Sequence, residues 1–335
     1  RRGTKEIRMI ITRTPFRVSF AGGGSDLPSY YRKHGAAVVS TTIDKYMYVT
    51  VNKRFDDSIR VSYSDTEIVD RVDDLKHEIV RAALRKTGID RGVEISTIAD
   101  IPAGTGLGSS STLTVGLLHA LHAYADRFSG AERLAREACE IEIEALGQPI
   151  GKQDQYAAAY GGLNYIHFNR DDSVLVEPII CEQSTRRRLS ESLVLFYTHM
   201  QRKSSNILNE QVTKTRQGKA NRELGLLVRL AEELHEALYD NHPESVGKLL
   251  HRSWMIKRQI ASGITDPRID EWYKTALEAG AQGGKILGAG GGGFLLLYCE
   301  PEEQGQLVRR MEALGLRRIP FSFEGQGSRI IYVEE

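Results

Sequence analysis

Residues 102–112, PAGTGLGSSST, carry the strongest indication of fold in this chain. They follow a short β-like run, 92–98, and precede an apolar-periodic segment, 113–125, that predicts a helix. Glycines at alternate positions let the backbone bend and approach a ligand closely. Serines and a threonine then stand at a helix N-terminus, where unpaired amides and the helix dipole favour an anion. The stretch therefore predicts a phosphate-binding loop between a strand and a helix.

This loop is not a Walker A motif, because no Lys-Ser or Lys-Thr pair closes it. A nucleotide site here would belong to another lineage. The alternative is a glycine-serine turn that only caps a helix, with Ser109 and Ser110 as simple caps. One of these hydroxyls could equally bind Mg²⁺, the hard cation that accompanies nucleotide phosphates.

The composition is that of a soluble globular protein, with 335 residues of which 41% are hydrophobic and 27% charged. The formal charge of +1 gives no basic field for nucleic acid. No apolar run approaches the roughly 18–20 residues needed to cross a bilayer, and no secretory signal pattern is present. Cys139, Cys181 and Cys299 are far apart, which predicts a reducing environment without disulfides or a zinc site. We expect a cytoplasmic protein without nucleic-acid or membrane partners.

The order of periodic segments predicts an α+β protein of two domains. The amino-acid composition changes near 183–190, where the chain becomes polar and basic. We therefore predict domains at 9–185 and 186–335. Strands are predicted at 9–20, 38–43, 46–52, 59–63, 92–98, 163–168, 174–179, 193–197 and 294–299. Helices are predicted at 27–33, 74–86, 113–125, 131–146, 205–214, 222–239, 243–262, 267–278 and 302–314, before two closing strands.

A second motif is TPFRVSFAGGGSDLP, residues 14–28. A predicted strand delivers Arg17 toward a glycine turn, and Asp26 follows at a predicted helix start. One interpretation is a strand, a tight turn and an N-cap aspartate. The other is an arginine at a phosphoryl centre and an aspartate that accepts sugar hydroxyls. These residues alone leave both interpretations open.

A third motif, EIEIEALGQPIGKQDQYAAAYGG, covers residues 140–162 and begins near the end of an amphipathic helix. Glu140 and Glu144 share one helix face, whereas Glu142 points elsewhere. Most glutamates on helices are solvated surface residues. The helical period therefore does not select a functional carboxylate among the three.

Asp154 stands apart from those glutamates. It lies between Gln153 and Gln155, beside Lys152, just after a glycine-proline turn and before a run of small residues at 157–159. A cap at a helix start is one interpretation. A carboxylate there could instead orient or deprotonate a hydroxyl nucleophile.

A fourth motif is KILGAGGGGF, residues 285–294, with five glycines in six positions. A hairpin or tight helix–strand packing would explain some of them. So dense a run is costly in conformational entropy on folding, which favours a loop that faces a ligand.

Taken together and in this order, the four motifs resemble the GHMP kinase superfamily, which includes galactokinase, homoserine kinase and mevalonate kinase. The resemblance spans nearly the whole chain, from 14 to 294. It implies an N-terminal domain with the ribosomal-protein-S5-like α/β fold and a ferredoxin-like α+β C-terminal domain. ATP and the second substrate would meet in the cleft between the two.

The resemblance also implies roles for individual residues. Ser110 matches the Mg²⁺-binding serine of the family's phosphate loop. Glu142 precedes Gly147 by five positions and Asp154 by twelve, the spacing of the metal glutamate, the glycine and the catalytic aspartate in galactokinases. Arg17 resembles the charged partner of that aspartate. The implied ATP-binding residues are Pro102, Ala103, Gly104, Thr105, Gly106, Leu107, Gly108, Ser109, Ser110 and Ser111.

The first motif departs from galactokinase. That enzyme has a glutamate and usually a histidine before its sugar-binding aspartate, where this chain has Gly22, Gly23, Gly24 and Ser25. The run instead resembles bacterial D-glycero-D-manno-heptose 7-phosphate kinases, which phosphorylate the anomeric hydroxyl to give the 1,7-bisphosphate for nucleotide-activated heptose synthesis. The implied substrate-binding residues are Gly23, Gly24, Ser25, Asp26, Lys152, Gln153, Gly290 and Gly291.

A phosphorylated substrate needs cations at its far end. Lys152, Lys45, Arg202 and Lys203 are the candidates, although each could equally be a solvated surface residue. A kinase for another sugar such as L-fucose is an alternative. A non-catalytic sugar sensor would be expected to lack Asp154, the metal ligand or the phosphate loop. A monomer and a homodimer remain open.

Overall fold

Two β-sheets organise the chain in the computed structural model, which describes residues 8–200 and 204–334. The mixture of helices and sheets confirms the predicted α+β class. The strands are β1 (Met9–Ala21), β2 (Ala36–Lys53), β3 (Ile59–Ser62), β4 (Thr66–Val69), β5 (Val93–Ala99), β6 (Leu163–Phe168), β7 (Val174–Pro178), β8 (Leu193–Tyr197), β9 (Gly283–Ile286), β10 (Phe294–Tyr298), β11 (Arg317–Ile319), β12 (Phe323–Glu324) and β13 (Arg329–Glu334).

Eleven α-helices pack around these sheets within the described ranges. Most begin and end within four residues of the sequence prediction, and neither α5 nor α6 was among the predicted helices. The helices are α1 (Pro28–His34), α2 (Glu78–Thr87), α3 (Ser109–Tyr124), α4 (Ala131–Cys139), α5 (Gln153–Tyr160), α6 (Gln183–Ser192), α7 (Ser204–Arg216), α8 (Asn221–Tyr239), α9 (Val246–Lys257), α10 (Pro267–Glu278) and α11 (Gln304–Ala313).

The first sheet has the order β13-β1-β2-β5-β3-β4, with β6 and β12 also on β2 and β7 on β6. The predicted pair of strands at 38–43 and 46–52 is one continuous strand, β2. Its first half pairs with β6 and its second half with β5, while β1 runs antiparallel along its other edge. The polar Asp44 suggested a break, but its carboxylate accepts from the Ser322 amide at 2.9 Å where β2 changes partner.

Helix α3 lies directly on β1 and β2. Thr12 donates through Oγ1 to the carbonyl of Gly116 at 2.9 Å, and a Cβ on Gly116 would lie 2.6 Å from Thr14 Oγ1. The absence of a side chain at Gly116 therefore lets the helix approach the sheet closely. This contact fixes the start of α3, and with it the loop at 102–108, relative to β1.

The second sheet is antiparallel, with the order β11-β8-β10-β9. Its central strand β10 is buried along its whole length. Helix α9 packs on this sheet, and α8 contacts both α9 and strands β1 and β2. Between the two sheets lies a cleft, to which α7 contributes Leu208 and Gln211 and α9 contributes Lys257.

The last strands return to the first sheet. β12 pairs with β2, and β13 pairs antiparallel with β1, with Met9 opposite Glu334. The final strands of the predicted second domain, 186–335, therefore belong to the first sheet. There β13 provides hydrogen-bond partners for backbone groups along the edge of β1. The boundary near residue 185 stays a prediction.

Other details differ from the sequence prediction. The helix predicted from residue 74 begins at Glu78, after a 3-10 turn at Val72–Asp74, and His77 caps it. Strand β9 was not among the predicted strands, and the fourth motif begins within it at Lys285. Cys139, Cys181 and Cys299 are free thiols, as predicted. Across residues 8–200 and 204–334, no helix has both the length and the apolarity that a membrane span requires.

Candidate active site

A cavity of about 210 Å³ lies in the cleft between the two sheets. Both halves of the chain line it, so the cavity exists only where they meet. It brings together residues of all four sequence motifs. The first half contributes Arg17, Asp26, Ser110 and Asp154, and the second half contributes Lys257 and Gly290, among others.

The loop before α3 forms one wall. Gly104, Gly106 and Gly108 have φ values of 76°, 87° and 80°, which L side chains rarely adopt. Gly108 is the N-cap of α3, and no side chain of residues 8–200 or 204–334 caps the helix. The first amides of α3 are therefore available to an anion.

Only part of the predicted loop faces the cavity. The alternate glycines and Ser109, Ser110 and Ser111 line it. Thr105 and Leu107 are buried behind it, and Thr105 donates through Oγ1 to the Pro102 carbonyl at 2.9 Å. Pro102 and Ala103 are exposed and lie outside the lining. The four residues outside the lining therefore shape the loop, whereas a ligand in the cavity would contact the glycines and serines.

Arg17 and Asp154 form a bidentate ion pair inside the cavity. Arg17 Nε and Nη2 each donate to a carboxylate oxygen of Asp154 at 2.7 Å, and Nη1 donates to the Gly106 carbonyl at 2.7 Å. Arg17 is 4% exposed on β1, and Asp154 stands in the first turn of α5. Arg17 and Asp154 lie 137 residues apart in sequence. They meet beside the loop before α3, residues 102–108, which we call the anion loop.

Asp26 joins the glycine turn to α5. Its carboxylate accepts from the Gly24 amide at 2.8 Å, the Gln153 amide at 3.1 Å and Gln153 Nε2 at 3.0 Å. Burial raises the pKa of Asp26 above its usual range, which these bonds partly offset. Asp26 does not cap α1, whose N-cap is Leu27. Its oxygens line the cavity together with Gln153 and Gly23.

Ser25 has a structural role in the same turn. It is fully buried and donates through Oγ to the Gly22 carbonyl at 2.7 Å. It is not among the residues that line the cavity, so the predicted contact with a substrate is not supported. A serine hydroxyl that closes its own turn is unavailable to a ligand.

Glu142 lies directly behind Ser110. It is fully buried, accepts from Ser110 Oγ through one oxygen, and accepts from Gln155 Nε2 through the other at 2.7 Å. The helix widens here into a π-helical segment, Glu140–Ala145. Glu140 pairs with Lys86 at 2.5 Å on the surface, and Glu144 is exposed. The structure thus separates the buried Glu142 from its two neighbours at the surface.

The Ser110–Glu142 pair fits a divalent cation. Burial raises the pKa of Glu142 to about 7, so a nearby cation would favour its ionised form. Mg²⁺ is typically bound by one or two carboxylates together with phosphate oxygens and water. Among the described residues no group of three or more His, Cys, Asp or Glu could hold a metal ion. A cation here would therefore need oxygens from a bound phosphate.

The glycine-rich run at 288–293 packs against the anion loop. A Cβ on Gly288 would lie 2.5 Å from Gly106 Cα, and a Cβ on Gly106 would lie 2.6 Å from the Leu287 carbonyl oxygen. Gly290 lines the cavity. Gly291 does not line it and donates its amide to the Ile264 carbonyl at 2.8 Å. Close backbone packing therefore accounts for part of this run.

Two of the four cations predicted for a substrate phosphate, Lys152 and Lys45, lie outside the cavity lining. Lys152 points away from the cavity, where Nζ lies 3.5 Å from Asp172 Oδ1 and 5.0 Å from the centre of the Tyr31 ring. Lys45 pairs with its neighbour Asp44 at 3.1 Å. Arg202 and Lys203 lie outside the described residues.

Two buried lysines of the cavity were missed. Lys257 ends α9 and Lys285 lies in β9, and both line the cavity. Lys285 is the first residue of the fourth motif, separated from Gly288 by Ile286 and Leu287, and this position was a usable signal. Lys257 had none, because one lysine in an amphipathic helix is indistinguishable by pattern from a surface residue.

Comparison with known proteins agrees with this geometry. The GHMP kinases N terminal domain matches residues 74–162, and the GHMP kinases C terminal domain matches residues 230–315. D-glycero-alpha-D-manno-heptose 7-phosphate kinase of Campylobacter jejuni is 30% identical over 96% of this chain and 98% of that protein. The bifunctional fucokinase/GDP-fucose pyrophosphorylase of Arabidopsis thaliana is 24% identical over 88% of this chain and 30% of that protein.

A solved structure shows the same architecture. The D-glycero-D-manno-heptose 1-phosphate kinase of Bacteroides thetaiotaomicron superposes with a TM-score of 0.81 at 26% identity, over 97% of this chain and 100% of that one. The predicted resemblance and its two-domain fold are confirmed. With both family domains matched and a relative aligned from end to end, this chain is a kinase of the GHMP family, whose members use ATP as the phosphate donor.

Proposed function

We propose that this kinase transfers the γ-phosphoryl group of ATP to the anomeric hydroxyl of D-glycero-D-manno-heptose 7-phosphate. The product is the 1,7-bisphosphate, an intermediate for nucleotide-activated heptose synthesis. The bidentate Arg17–Asp154 pair beside the anion loop carries the proposal, because it places a carboxylate and a cation in one cavity. The sugar is proposed from the relatives, whose names specify heptose phosphates.

Each residue then has a mechanistic role. The free amides of α3 and the alternate glycines bind the phosphates of ATP. Asp154 orients the sugar hydroxyl, and either deprotonates it or acts on it electrostatically. Arg17 holds that carboxylate by two hydrogen bonds and stabilises charge on the phosphoryl group in transfer. Positioning and electrostatics of this kind account for most of the catalysis of phosphoryl transfer.

Ser110 and Glu142 would hold Mg²⁺. The ion, when bound, offsets negative charge on the β- and γ-phosphates. Gln155 keeps the Glu142 carboxylate in place through its hydrogen bond at 2.7 Å, and so orients it toward Ser110.

The glycine turn is the basis for the choice of sugar. Asp26 and Gln153 present polar atoms to the cavity, whereas Gly23 presents no side chain and leaves room for a larger sugar. L-fucose is the second candidate, on the strength of the fucokinase relative. A sensor without activity is disfavoured because the anion loop, Glu142 and Asp154 are all in place.

The test is a panel of acceptors with ATP consumption and product position as readouts. Heptose 7-phosphate, heptose, L-fucose and D-galactose are compared at equal concentration. We expect heptose 7-phosphate to give the highest kcat/KM and phosphorus NMR to show a new anomeric phosphate. Preferred turnover of L-fucose, or phosphate at another carbon, would contradict the proposal.

Asp154→Asn is the control for that panel. The amide retains the shape but loses the charge and the basicity, so we expect kcat to fall about 10²- to 10⁴-fold. ATP binding, measured by calorimetry, should change little because Asp154 faces Arg17 and not the α3 amides. Near-normal turnover by this variant would remove Asp154 from the mechanism.

A further inference from the structure

Two buried ammonium groups line the cavity from the second half of the chain. Lys257, at the end of α9, is 7% exposed, and Lys285, in β9, is 2% exposed. A lysine this deeply buried loses most of its hydration, which is costly unless an anion or several acceptors replace the water.

Both ammonium groups have only neutral acceptors among the described residues. Lys257 Nζ donates to the Gly288 carbonyl at 2.5 Å, and Lys285 Nζ donates to the Phe20 carbonyl at 3.1 Å. Neither forms an ion pair with a carboxylate of residues 8–200 or 204–334. A backbone carbonyl satisfies one donor of an ammonium group that has three.

The charges around them do not supply the missing partner. Both oxygens of Asp154 are engaged by Arg17, and Asp26 is engaged by Gly24 and Gln153. Burial lowers the pKa of Lys257 to about 8, with a further contribution from repulsion by Arg17. Burial and the charges of Lys257 and Arg17 lower the pKa of Lys285. The cavity therefore holds three cations, and its two carboxylates, Asp26 and Asp154, are engaged by groups other than the two lysines.

The position of Lys257 indicates what the missing partner is. Its acceptor Gly288 packs against Gly106 of the anion loop, whose carbonyl in turn accepts from Arg17. Lys257 thus lies across the cleft from the start of α3, next to the place where a phosphate bound to that loop would sit.

We propose that Lys257, assisted by Lys285, binds a phosphate group in the cleft opposite the α3 amides. The inference rests on the proposed function and adds a phosphate-binding residue from the second half of the chain. The phosphate belongs either to the nucleotide or to the sugar phosphate, and the chemistry of recognition is the same for both. An ammonium that binds phosphate from one half while the loop binds it from the other would hold the cleft closed around the substrates.

Lys257→Met tests the proposal, with Lys248→Met as its matched control on an exposed position of the same helix. The binding of AMPPNP with Mg²⁺ is measured by calorimetry, and KM for heptose 7-phosphate is measured by ATP consumption. We expect either the affinity for AMPPNP to fall or the KM for heptose 7-phosphate to rise by about 10- to 100-fold. This is the effect of losing a hydrogen bond to a charged group. Weaker AMPPNP binding assigns the nucleotide phosphate, and a raised KM alone assigns the sugar phosphate.

Lys257→Arg tests the role of the charge through the pH dependence of ligand affinity, which a purely structural role of Lys257 would leave unchanged. Affinity of the wild type should fall as the pH rises through about 8, where Lys257 loses its charge among Arg17, Lys285, Asp26 and Asp154. Lys257→Arg should retain binding through that range because guanidinium stays protonated. Lys257→Gln, which keeps a donor for Gly288, replaces the methionine variant if the latter does not fold.

A folded Lys257→Met protein with AMPPNP affinity and KM within twofold of wild type would overturn the inference. So would an equal loss in Lys248→Met. If wild type does not use heptose 7-phosphate, the proposed function fails, while the AMPPNP comparison still decides the role of Lys257.

Discussion

Glu142 shows how a single buried residue can oppose the stability of the fold that contains it. Its pKa is raised from 4.5 to about 7 by burial. The folded protein therefore holds this proton more tightly than the unfolded chain does. As the pH rises through the range between those values, stability falls by about 3 kcal/mol, because the unfolded chain ionises this group first. A buried carboxylate retained at such a cost is consistent with a ligand for a cation.

Replacement of Glu142 by Gln should therefore stabilise the protein without metal and impair the enzyme. At pH 8 we expect the free energy of unfolding to rise, because the buried charge is gone. In addition, Gln155 Oε1, which has no partner in the part of the chain that the structure describes, can accept from the new amide. Turnover should fall and require more Mg²⁺. Chemical denaturation without metal and a Mg²⁺ titration of activity measure the two effects.

Glu144→Gln is the matched control, since Glu144 is exposed on the same π-helical segment. It should change neither stability nor the Mg²⁺ requirement beyond a few tenths of a kcal/mol. Loss of stability at pH 8 in Glu142→Gln, or an unaltered Mg²⁺ requirement, would argue against the site.

At the scale of elements, the site depends on the fit between the anion loop and the glycine-rich run. Gly106 is where the two touch, since a Cβ there would meet the Leu287 carbonyl. Gly104 has a similar φ, but a Cβ on it would have nothing within 4 Å. Alanine substitutions at Gly104 and Gly106 therefore distinguish two contributions to stability. Both substitutions carry the cost of a left-handed backbone, but only the one at Gly106 also causes a steric clash.

Gly106→Ala should therefore weaken the protein more than Gly104→Ala. The second change incurs only the left-handed conformation, about 1–2 kcal/mol for an L-residue. The first adds a steric clash that displaces Leu287 or the loop, so both melting temperature and ATP affinity should fall further. Thermal unfolding and calorimetry compare the variants, and equal losses would show that the contact is unimportant.

Local patterns predicted most of these elements and their residues, yet they failed in identifiable places. The helical period could not select Glu142, because the chain leaves α-helical geometry at Glu140–Ala145. The polar Asp44 hid the continuity of β2, because its partner Ser322 is 278 residues away. A role for Lys257 could be inferred only from its burial in the structure, which the sequence pattern does not reveal. The spacing shared with a known family singled out Glu142 where periodicity did not, and its role as a metal ligand stays a prediction.

At the scale of the whole molecule, β13 connects the end of the chain to its beginning. Ser328, just before β13, has Oγ 2.8 Å from Thr14 Oγ1 and 3.0 Å from His119 Nδ1. It therefore joins β1 to the helix that carries the anion loop. The two halves predicted from sequence are held together at the cleft and also along this edge.

Deletion of the residues from 323 onward should destabilise both halves. Backbone groups of β1 at Met9–Arg13 lose their partners, and buried Ile10 and Thr12 become accessible. We expect the melting temperature to fall by about 5 °C or more. Ser328→Ala, which removes only the hydroxyl contacts, should cost about 1 kcal/mol. A truncated protein as stable as wild type would show that β13 is dispensable.

The pairing of β1 with β13 also has a consequence during synthesis. More than 300 residues separate the two strands, so the ribosome completes β13 roughly 15–60 s after β1. Throughout that interval one edge of β1 has no strand beside it, and unpaired edges readily associate with other chains. The newborn polypeptide thus carries an unfinished first sheet until β13 has emerged.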